Sequence, residues 1–407
     1  MRINIVIPPQ QRHVFAGGAL CLLNYAQGLA GQGHEVTVMT SLASAEPLWF
    51  PKPWRFRFLS PSAGSLLSDA VKASWKTGWA LGRSVLAGRP GISAQAARDG
   101  VAALSAWSGL AGQRSVVGAA TGAMIDNLRR WLPEADVTVA SSFETAYPVA
   151  VAGTGRLFYF AQHYEPYFWR ESAGCTTSRR QAEVSYGLGL KLIANSPWLS
   201  DMLRQHHGLM DVPVCSGAID HRVFCQPPRP RRQAGELHVI SYGGRDAHWK
   251  GFREMCEGVR LAREQYPGIR FHWRVYGAAL LPPDNPIATY EPLGFLDQPA
   301  LASAYARHDV LLSASWYESF PLFPLEAMAS GLATICTEAG AEAYALHGQT
   351  AHVVPSQSPQ AIAEALGRLA RDEDYRLGLA ARGREKAVEF TWDRSVGTME
   401  QVLLPAA

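Results

Sequence analysis

The chain has 407 residues, of which 47% are hydrophobic and 18% charged, and its formal net charge is +3. A chain of this length can form two domains, each with a sizeable core. The mild charge, without a basic stripe interleaved with aromatic residues, argues against a nucleic-acid partner. A mean hydropathy of -0.07 argues against embedding in a bilayer.

The N-terminus and the cysteines indicate a cytoplasmic location. Residues 1–9 give a short apolar strand followed by two prolines, without the apolar core and cleavage site of a signal peptide. None of the six cysteines belongs to a Cys-x-x-Cys pair, so we interpret them as thiols of a reducing compartment. Peripheral association with the inner face of the membrane is an open alternative.

Strand and helix patterns alternate in the first half of the chain. An apolar strand is predicted from Ile3 to Ile7, and a helix from Ala19 to Ala30 that the glycines at 31 and 33 end. Further strands are predicted at 35–39, 56–59, 136–140, 157–160 and 190–194. The amphipathic stretches 66–86 and 94–110 predict peripheral helices, with a membrane-facing or acceptor-facing surface as the alternative.

A Pro/Arg-rich stretch between residues 213 and 230 predicts a domain boundary. A second series follows, with strands at 238–242, 271–276, 310–315 and 333–336 and helices at 252–265, 297–307 and 323–330. The sequence therefore predicts an α/β fold with two doubly wound, Rossmann-like parallel sheets. Ligands of such sheets bind beyond the carboxyl ends of the strands.

Two loops at predicted strand ends carry groups suited to a phosphorylated ligand. The loop 242–251 contains glycines, which allow close approach of the backbone, together with Arg245 and Lys250, which can bind phosphate oxygens. The loop and helix at 315–331 contain Glu318, the helix-starting Pro324 and Glu326, which we expect in the first helical turn. The helix N-terminus is a ready anion site, and carboxylates beside it can accept hydrogen bonds from sugar hydroxyls. A third loop, 337–342, is a candidate neighbour of the phosphates.

The run from Glu318 to Gly331 resembles the Glu-x7-Glu motif of family 4 of the retaining glycosyltransferases, which have the GT-B fold. Arg245 and Lys250 match the family's Arg and Lys, which hold the donor diphosphate. The resemblance implies two domains facing a cleft: an N-terminal acceptor-binding domain at 1–215 and a nucleotide-sugar domain at 216–392. It also implies that a C-terminal helix, 393–407, packs back on the first domain.

The same resemblance implies which residues form the site. His163, Glu318, Arg245 and Lys250 are the predicted catalytic group. The predicted donor-binding residues are Gly18, Gly244, Arg245, Lys250, Gly294, Phe295, Glu318, Ser319, Phe320, Leu322, Phe323 and Glu326. Pro321 stands where many members have Gly and removes one N–H from the phosphate cradle, so we expect the amides of the neighbouring residues to suffice. His163 and Glu165 are the predicted acceptor-binding residues.

We expect no metal and no cofactor. The Asp-x-Asp string that metal-dependent glycosyltransferases use occurs at Asp372–Asp374, which we interpret as the acidic start of a helix. The resemblance then implies that Arg245, Lys250 and a helix dipole stabilise the leaving diphosphate. The partners are a dTDP-, UDP- or GDP-linked sugar and a glycan or lipid-linked acceptor.

The segment 158–169 is similar to a Gln-Asp-Tyr-Glu-Pro stretch of bacterial rhamnan and S-layer rhamnosyltransferases, with His163 at the Asp position. Rhamnose is therefore a candidate sugar, in surface polysaccharide synthesis. Three rival functions are an epimerase of sugar nucleotides with the GT-B fold, a non-catalytic binding protein and a two-domain oxidoreductase. No Gly-x-Gly-x-x-Gly follows the strand ending at Ile7, which counts against the oxidoreductase.

Overall fold

The computed structural model describes residues 1–10, 16–61, 119–170, 176–225, 235–243, 248–277 and 289–404. The chain forms two compact units. The first comprises Met1–Ala194, Met202–Pro213 and Met399–Ala407, and the second comprises Asn195–Asp201 and Val214–Thr398.

The first unit is built on six parallel strands, β1 to β6 in chain order. These are Arg2–Ile7, Glu35–Thr40, Arg57–Leu59, Val137–Ala140, Arg156–Ala161 and Lys191–Ala194. Its helices are α1 (Gly17–Gly31), α2 (Ala119–Trp131), α3 (Phe143–Ala152) and α4 (Thr176–Ser185), and a 3-10 turn lies at Glu165–Trp169. Helix α5 (Pro197–His207) begins in the second unit and ends in the first.

The second unit repeats this plan with strands β7 to β12. These are Glu236–Tyr242, Arg270–Tyr276, Glu291–Gly294, Val310–Leu312, Ala333–Cys336 and His352–Val353. A 3-10 turn lies at His248–Lys250. The helices are α6 (Phe252–Gln265), α7 (Gln298–Tyr305), α8 (Leu322–Ala329), α9 (Pro359–Arg371), α10 (Glu373–Ala387) and α11 (Trp392–Leu403).

The two sheets have equivalent strand orders, β3-β2-β1-β4-β5-β6 and β9-β8-β7-β10-β11-β12. All the pairings are parallel. The direction of winding reverses between β1 and β4 in the first unit and between β7 and β10 in the second. Because the loops that leave such a pair diverge, this edge is where doubly wound sheets bind ligands.

Alternation of side chains along the strands divides the core of the second unit in two. On one face Val239, Trp273 and Leu312 pack with residues of α6 and α9. On the other face Ile240 and Leu311 pack with residues of α7 and α8. Burial on both faces explains why β10 is a continuous apolar run.

The predicted doubly wound fold is confirmed, with shifts at element ends. The strand expected at 310–315 ends at Leu312, and the helix expected at 323–330 begins at Leu322. The helices expected at 66–86 and 94–110 lie outside the described residues. The five described cysteines form no disulfide among themselves, and Cys225 is exposed. Within the described ranges no helix has the length and apolarity that a transmembrane span requires.

The C-terminal helix α11 passes from the second unit into the first. Within the first unit, Glu400 Oε1 lies 2.7 Å from Nε2 of His34. The guanidinium of Arg156 donates to the carbonyl oxygen of Leu404 at 3.0 Å. These contacts attach the end of the chain to β5 and to the residue preceding β2.

Candidate active site

The loops that follow β7 and β10, at the winding reversal of the second sheet, are joined to each other. The backbone N–H of Trp316 donates to the carbonyl oxygen of Trp249 at 2.7 Å. The rings of Trp249 and Tyr317 are stacked, with 6.0 Å between their centroids. Two segments far apart in sequence therefore form one surface at the carboxyl edge of the sheet.

Gly251 makes this close approach possible. It has φ +68°, and a Cβ at this position would lie 1.9 Å from the carbonyl oxygen of Ala314. A side chain would therefore both strain the backbone and collide with the loop that follows β10. Gly251 is also the N-cap of α6, so the loop carrying Lys250 is fixed to a helix start.

Lys250 and Glu318 form an ion pair at this edge, with Nζ of the lysine against Oε1 of the glutamate. The side chains are 29% and 14% exposed, so both charges remain partly within reach of a ligand from solvent. The sequence predicts a phosphate contact for the lysine and a sugar contact for the glutamate. The structure brings the two groups together.

The third loop, after β11, supports the backbone of Glu318. Gly340 has φ +75°, and a Cβ there would lie 2.4 Å from the carbonyl oxygen of Glu318 and 2.5 Å from that of Ser319. Thr337 Oγ1 donates to the carbonyl oxygen of Ser315. The loop predicted as a neighbour of the phosphates therefore lies directly against the glutamate segment.

Helix α8 begins immediately after this segment, with Pro321 as its N-cap. Its first four N–H positions have no partner within the helix, and proline at the third of them, Pro324, sacrifices no helical hydrogen bond. The amides of Leu322 and Phe323 belong to this first turn. The expectation that Glu326 lies in the first turn is wrong, because the helix starts one residue earlier and Glu326 is its fifth residue.

Glu326 is a buried carboxyl group, only 3% exposed. Its Oε2 has no hydrogen-bond partner among the described residues. Burial raises the pKa of Glu326 to about 8. The hydroxyls of Tyr276 and Tyr305 lie 3.1 Å apart. Burial is the main cause that raises the pKa of both phenols, and the negative charge of an ionised Glu326 adds to this effect.

The other predicted donor residues of the second unit have different environments. Ser319 is buried, and its Oγ contacts Oδ1 of Asn195 and lies 3.3 Å from Oγ of Ser196. Phe320 packs on Tyr344, with ring centroids 5.7 Å apart. The ring of Phe323 lies 4.9 Å from that of Tyr242. Both phenylalanines therefore pack in the core.

Gly294 and Phe295 lie at the carboxyl end of β9, at the edge of the sheet. Gly294 has φ +68° and accepts a hydrogen bond from the N–H of Gly277 at 2.8 Å. Phe295 is 57% exposed. Gly244 and Arg245 lie outside the described residues.

In the first unit, Gly18 lies in the first turn of α1, whose N-cap is Ala16. A Cβ on Gly18 would lie 3.4 Å from the side-chain amide of Gln162. The first turn of α1 contains no acidic residue, so nothing in it opposes an anion. The first turn of α1 and the residue after β5 therefore meet at Gly18.

His163 and Glu165 follow β5. The ring of His163 lies 4.6 Å from that of Phe168, and both of its ring nitrogens are shielded from solvent. Glu165 is 7% exposed, and its Oε2 accepts from the N–H of Phe143 at 2.9 Å and from the hydroxyl of Tyr159. Burial raises the pKa of Glu165 to about 8. This environment favours a supporting task for Glu165, and the acceptor contact stays a prediction.

Glu236, His238 and His272 form a group of potential metal ligands, whose candidate atoms lie within 4.8 Å of one another. The two imidazoles are stacked, with 4.4 Å between their ring centroids. The guanidinium of Arg270 donates to Oε1 of Glu236 at 2.6 Å. These residues occupy the amino-terminal halves of β7 and β8, so the group lies away from the carboxyl edge that carries Lys250.

Sequence reasoning missed several residues that shape the site. Trp249, Trp316 and Tyr317 join the two loops, and Tyr276 and Tyr305 lie near Glu326. The aromatic residues at 249, 316 and 317 lie inside the loops 242–251 and 315–331, so their positions in the sequence could have indicated a contact between the two loops. The tyrosines come from a strand and a helix that only the folded sheet brings near Glu326.

Known proteins resemble the part of the chain that contains these residues. A model of "Glycosyl transferases group 1" matches residues 237–372, which include Lys250, Glu318 and Glu326. The chain is 28% identical over 283 residues to the O-antigen biosynthesis protein RfbC of Myxococcus xanthus, covering 67% of this chain and 21% of the relative. It is 28% identical to a D-inositol 3-phosphate glycosyltransferase of Paenarthrobacter aurescens, covering 50% of this chain and 55% of the relative.

Solved structures resemble the chain over its full length. Sucrose-phosphate synthase of Thermosynechococcus elongatus matches with a TM-score of 0.70 at 15% identity, over 98% of each chain. HepE of Anabaena, in complex with UDP-glucose, matches with a TM-score of 0.63 at 15% identity, over 99% of this chain and 100% of HepE. Residues 237–372 are therefore similar to the group 1 glycosyl transferases, and the fold of the chain is GT-B.

Proposed function

We propose that this protein transfers a sugar from a nucleoside diphosphate to a glycan or lipid-linked acceptor, with retention of anomeric configuration. The observation that carries the proposal is the buried carboxyl group of Glu326, whose Oε2 has no partner among the described residues. An unsatisfied buried carboxyl is costly, and a ligand that donates hydroxyl hydrogen bonds relieves the cost. The two ribose hydroxyls of a nucleotide are such donors.

The diphosphate of the donor binds beside the ribose, at the loops after β7 and β10. Lys250 exchanges part of its contact with Glu318 for a phosphate oxygen, and Arg245 adds a bidentate contact. The amides of Ser319, Phe320, Leu322 and Phe323, at the start of α8, donate to the same phosphates, because helix N-termini favour anions. Glu318 then accepts hydrogen bonds from hydroxyls of the transferred sugar.

The reaction itself needs stabilisation of the negative charge on the leaving group. The bond between the anomeric carbon and the phosphate oxygen breaks, and a bond from that carbon to the acceptor oxygen forms on the same face of the sugar. The proton of the acceptor hydroxyl passes to the leaving phosphate oxygen. Lys250 and Arg245 stabilise the charge that develops on this oxygen, a contribution that is usually the largest in such reactions.

We propose that the reaction requires no metal ion. Within the Asp372–Asp374 string, Asp372 caps the helix, since its Oδ1 accepts from the N–H of Tyr375 at 2.9 Å. Glu373 Oε1 accepts from Arg376 at 3.0 Å. Asp372 and Glu373 therefore stabilise the start of α10. This supports assigning the stabilisation of the leaving diphosphate to Lys250 and Arg245.

The division of labour follows the two halves of the chain. Residues 216–392 bind the donor, with Gly294 and Phe295 beside the nucleotide, and residues 1–215 bind the acceptor, with His163 near the reacting sugar and Gly18 near the donor. The RfbC relative is named for O-antigen biosynthesis, which supports a surface polysaccharide as the product. We retain rhamnose as one candidate sugar, and we propose that the protein works in the cytoplasm.

The donor can be found by measuring the melting temperature of the protein with UDP-, GDP- and dTDP-linked sugars, one at a time. Ligand binding to the folded state raises this temperature. We expect one nucleotide class to raise it for the wild type and not for Glu326→Ala. A panel in which no sugar nucleotide stabilises the wild type would contradict the proposal.

Two rivals are tested by the fate of the identified donor. An epimerase changes the sugar configuration without any acceptor, which NMR of the donor detects. A binding protein leaves the donor unchanged with every acceptor offered. A glycosyltransferase releases the nucleoside diphosphate in an amount that matches the glycosylated acceptor formed.

A further inference from the structure

The hydroxyl group of Tyr186 forms two hydrogen bonds with the backbone of the segment that carries His163. This hydroxyl accepts a hydrogen bond from the N–H of Glu165 at 3.1 Å and donates one to the carbonyl oxygen of His163 at 3.2 Å. Both backbone groups belong to the turn that leaves β5. A single phenol therefore bridges the two ends of the three-residue segment 163–165.

The phenol of Tyr186 is itself immobilised. Tyr186 is 3% exposed and stacks between Tyr159 and Tyr164, with interplanar angles of 13° to each ring. The ring of His207 packs edge-on against it, 4.9 Å away. A side chain enclosed in this way keeps its rotamer, so the position of its hydroxyl is fixed by packing.

The carboxyl group of Glu165 also holds this segment. Its Oε2 accepts from the hydroxyl of Tyr159 and from the N–H of Phe143, the first residue of α3. The segment is therefore tied to strand β5 through Tyr159 and to a helix start through Phe143. These contacts use Glu165 as a support within the first unit.

We propose that Tyr186 and Glu165 are positioning residues, which fix the backbone of residues 163–165 so that the imidazole of His163 is presented in one orientation. This inference rests on the proposed function only in its consequence for turnover. A displacement of about 1 Å of a reacting group can reduce catalysis by roughly two orders of magnitude. Loss of the bridge should therefore affect turnover far more than nucleotide binding, which the second unit provides.

The test compares Tyr186→Phe with Tyr147→Phe. Tyr147 is also 3% exposed in the first unit, and its hydroxyl donates to the carbonyl oxygen of Gln181 at 2.9 Å, so this control loses one partly buried hydrogen bond without touching residues 163–165. The first measurement is the 15N NMR spectrum of the histidine rings, with the His163 signal identified by its loss in His163→Gln. The second is the release of UDP from UDP-glucose, alongside the affinity for UDP measured by calorimetry.

We expect Tyr186→Phe to shift or broaden the His163 ring signals, to lower kcat for UDP release at least tenfold and to leave the Kd of UDP within twofold. Tyr147→Phe should leave the His163 signals and kcat unchanged. Tyr159→Phe, which removes the other hydroxyl, should resemble Tyr186→Phe. Unchanged His163 signals in a folded Tyr186→Phe protein would overturn the inference.

The NMR measurement separates this inference from the proposed function. If the wild-type protein neither binds UDP nor releases it from UDP-glucose, the spectrum still reports whether Tyr186 fixes His163. Shifted signals with turnover equal to that of Tyr147→Phe would overturn the consequence for catalysis. Equal loss of turnover in Tyr186→Phe and Tyr147→Phe would also overturn this consequence, because a general loss of stability would then explain the effect of both substitutions.

Discussion

Lys250 and Glu318 form an ion pair across the loops that follow β7 and β10, although 68 positions separate them in the sequence. The pair satisfies both charges at the edge where a charged ligand is proposed to bind. Since the two side chains remain partly exposed, a diphosphate can recruit the lysine without unfolding either loop. The lysine is therefore held near its proposed working position, and the glutamate limits its freedom.

We predict that Lys250→Ala lowers turnover by about 10²–10³-fold, the usual range for loss of one charge-stabilising group in an active site. The melting temperature should change little, because a partly exposed ion pair contributes roughly 0–1 kcal/mol. Lys386→Ala is the matched control, since Nζ of Lys386 pairs with Glu389 at 2.8 Å in the same unit. Equal turnover in the two variants would remove Lys250 from the mechanism.

Glu326 gives the protein a specific dependence on pH. Burial raises its pKa from an ordinary value of 4.5 to about 8, so the folded protein keeps a proton that the unfolded chain releases. The stability contributed by this group is therefore fully present below pH 4.5 and falls as the pH rises to about 8. We predict that Glu326→Gln, whose side chain stays neutral, removes the part of the loss of stability with rising pH that is due to Glu326.

The measurement is the difference in melting temperature between Glu326→Gln and the wild type at several pH values without ligand. The difference should shift in favour of the variant between pH 5 and pH 8. Glu385→Gln, at an exposed position of α10, serves as the control for the loss of a carboxyl group. A difference that is constant across this range would show that Glu326 is ionised in the folded protein.

Gly340 tests the support beneath Glu318. Alanine at a positive φ costs about 1–2 kcal/mol, and this strain alone is expected for Gly348→Ala, where φ is +72° and no atom lies within 4 Å of the added Cβ. Gly340→Ala adds contacts with the carbonyl oxygens of Glu318 and Ser319. Overpacking of this kind costs a further 1–3 kcal/mol or so, and it displaces the glutamate.

We therefore predict that Gly340→Ala has a lower melting temperature than Gly348→Ala and turns over at least tenfold more slowly. The Gly348→Ala protein should keep wild-type turnover, because its strain lies away from Glu318. If both variants keep wild-type turnover, the loop after β11 does not position the glutamate.

The sequence predicts the fold well because its signals are local. Apolar runs bounded by glycine and proline locate the buried strands, and the strand at 333–336 is predicted with its observed ends. The start of α8 is less predictable, since Leu322 and Phe323 can extend the loop or begin the helix. That one-residue difference moves Glu326 from the first turn to the fifth helical position.

The environment of single side chains is where sequence reasoning is weakest. Glu165 is a predicted acceptor-binding residue, and the fold buries it against Tyr159 and Tyr186. Neither partner can be identified from spacing, because Tyr186 is reached only after helix α4. The shared edge of Lys250 and Glu318 was predictable from parallel topology, but their direct contact depends on the rotamers of both side chains.

Binding of a nucleotide to the second unit through Glu326 is tested most directly by calorimetric titration with nucleoside diphosphates. UDP, GDP and dTDP are each titrated into the wild type and into Glu326→Ala. At least one of them should bind the wild type, and the variant should bind it at least tenfold more weakly, as expected when two hydrogen bonds worth roughly 0.5–1.5 kcal/mol each are lost. Equal affinity in both proteins, or no binding of any of the three, would contradict it.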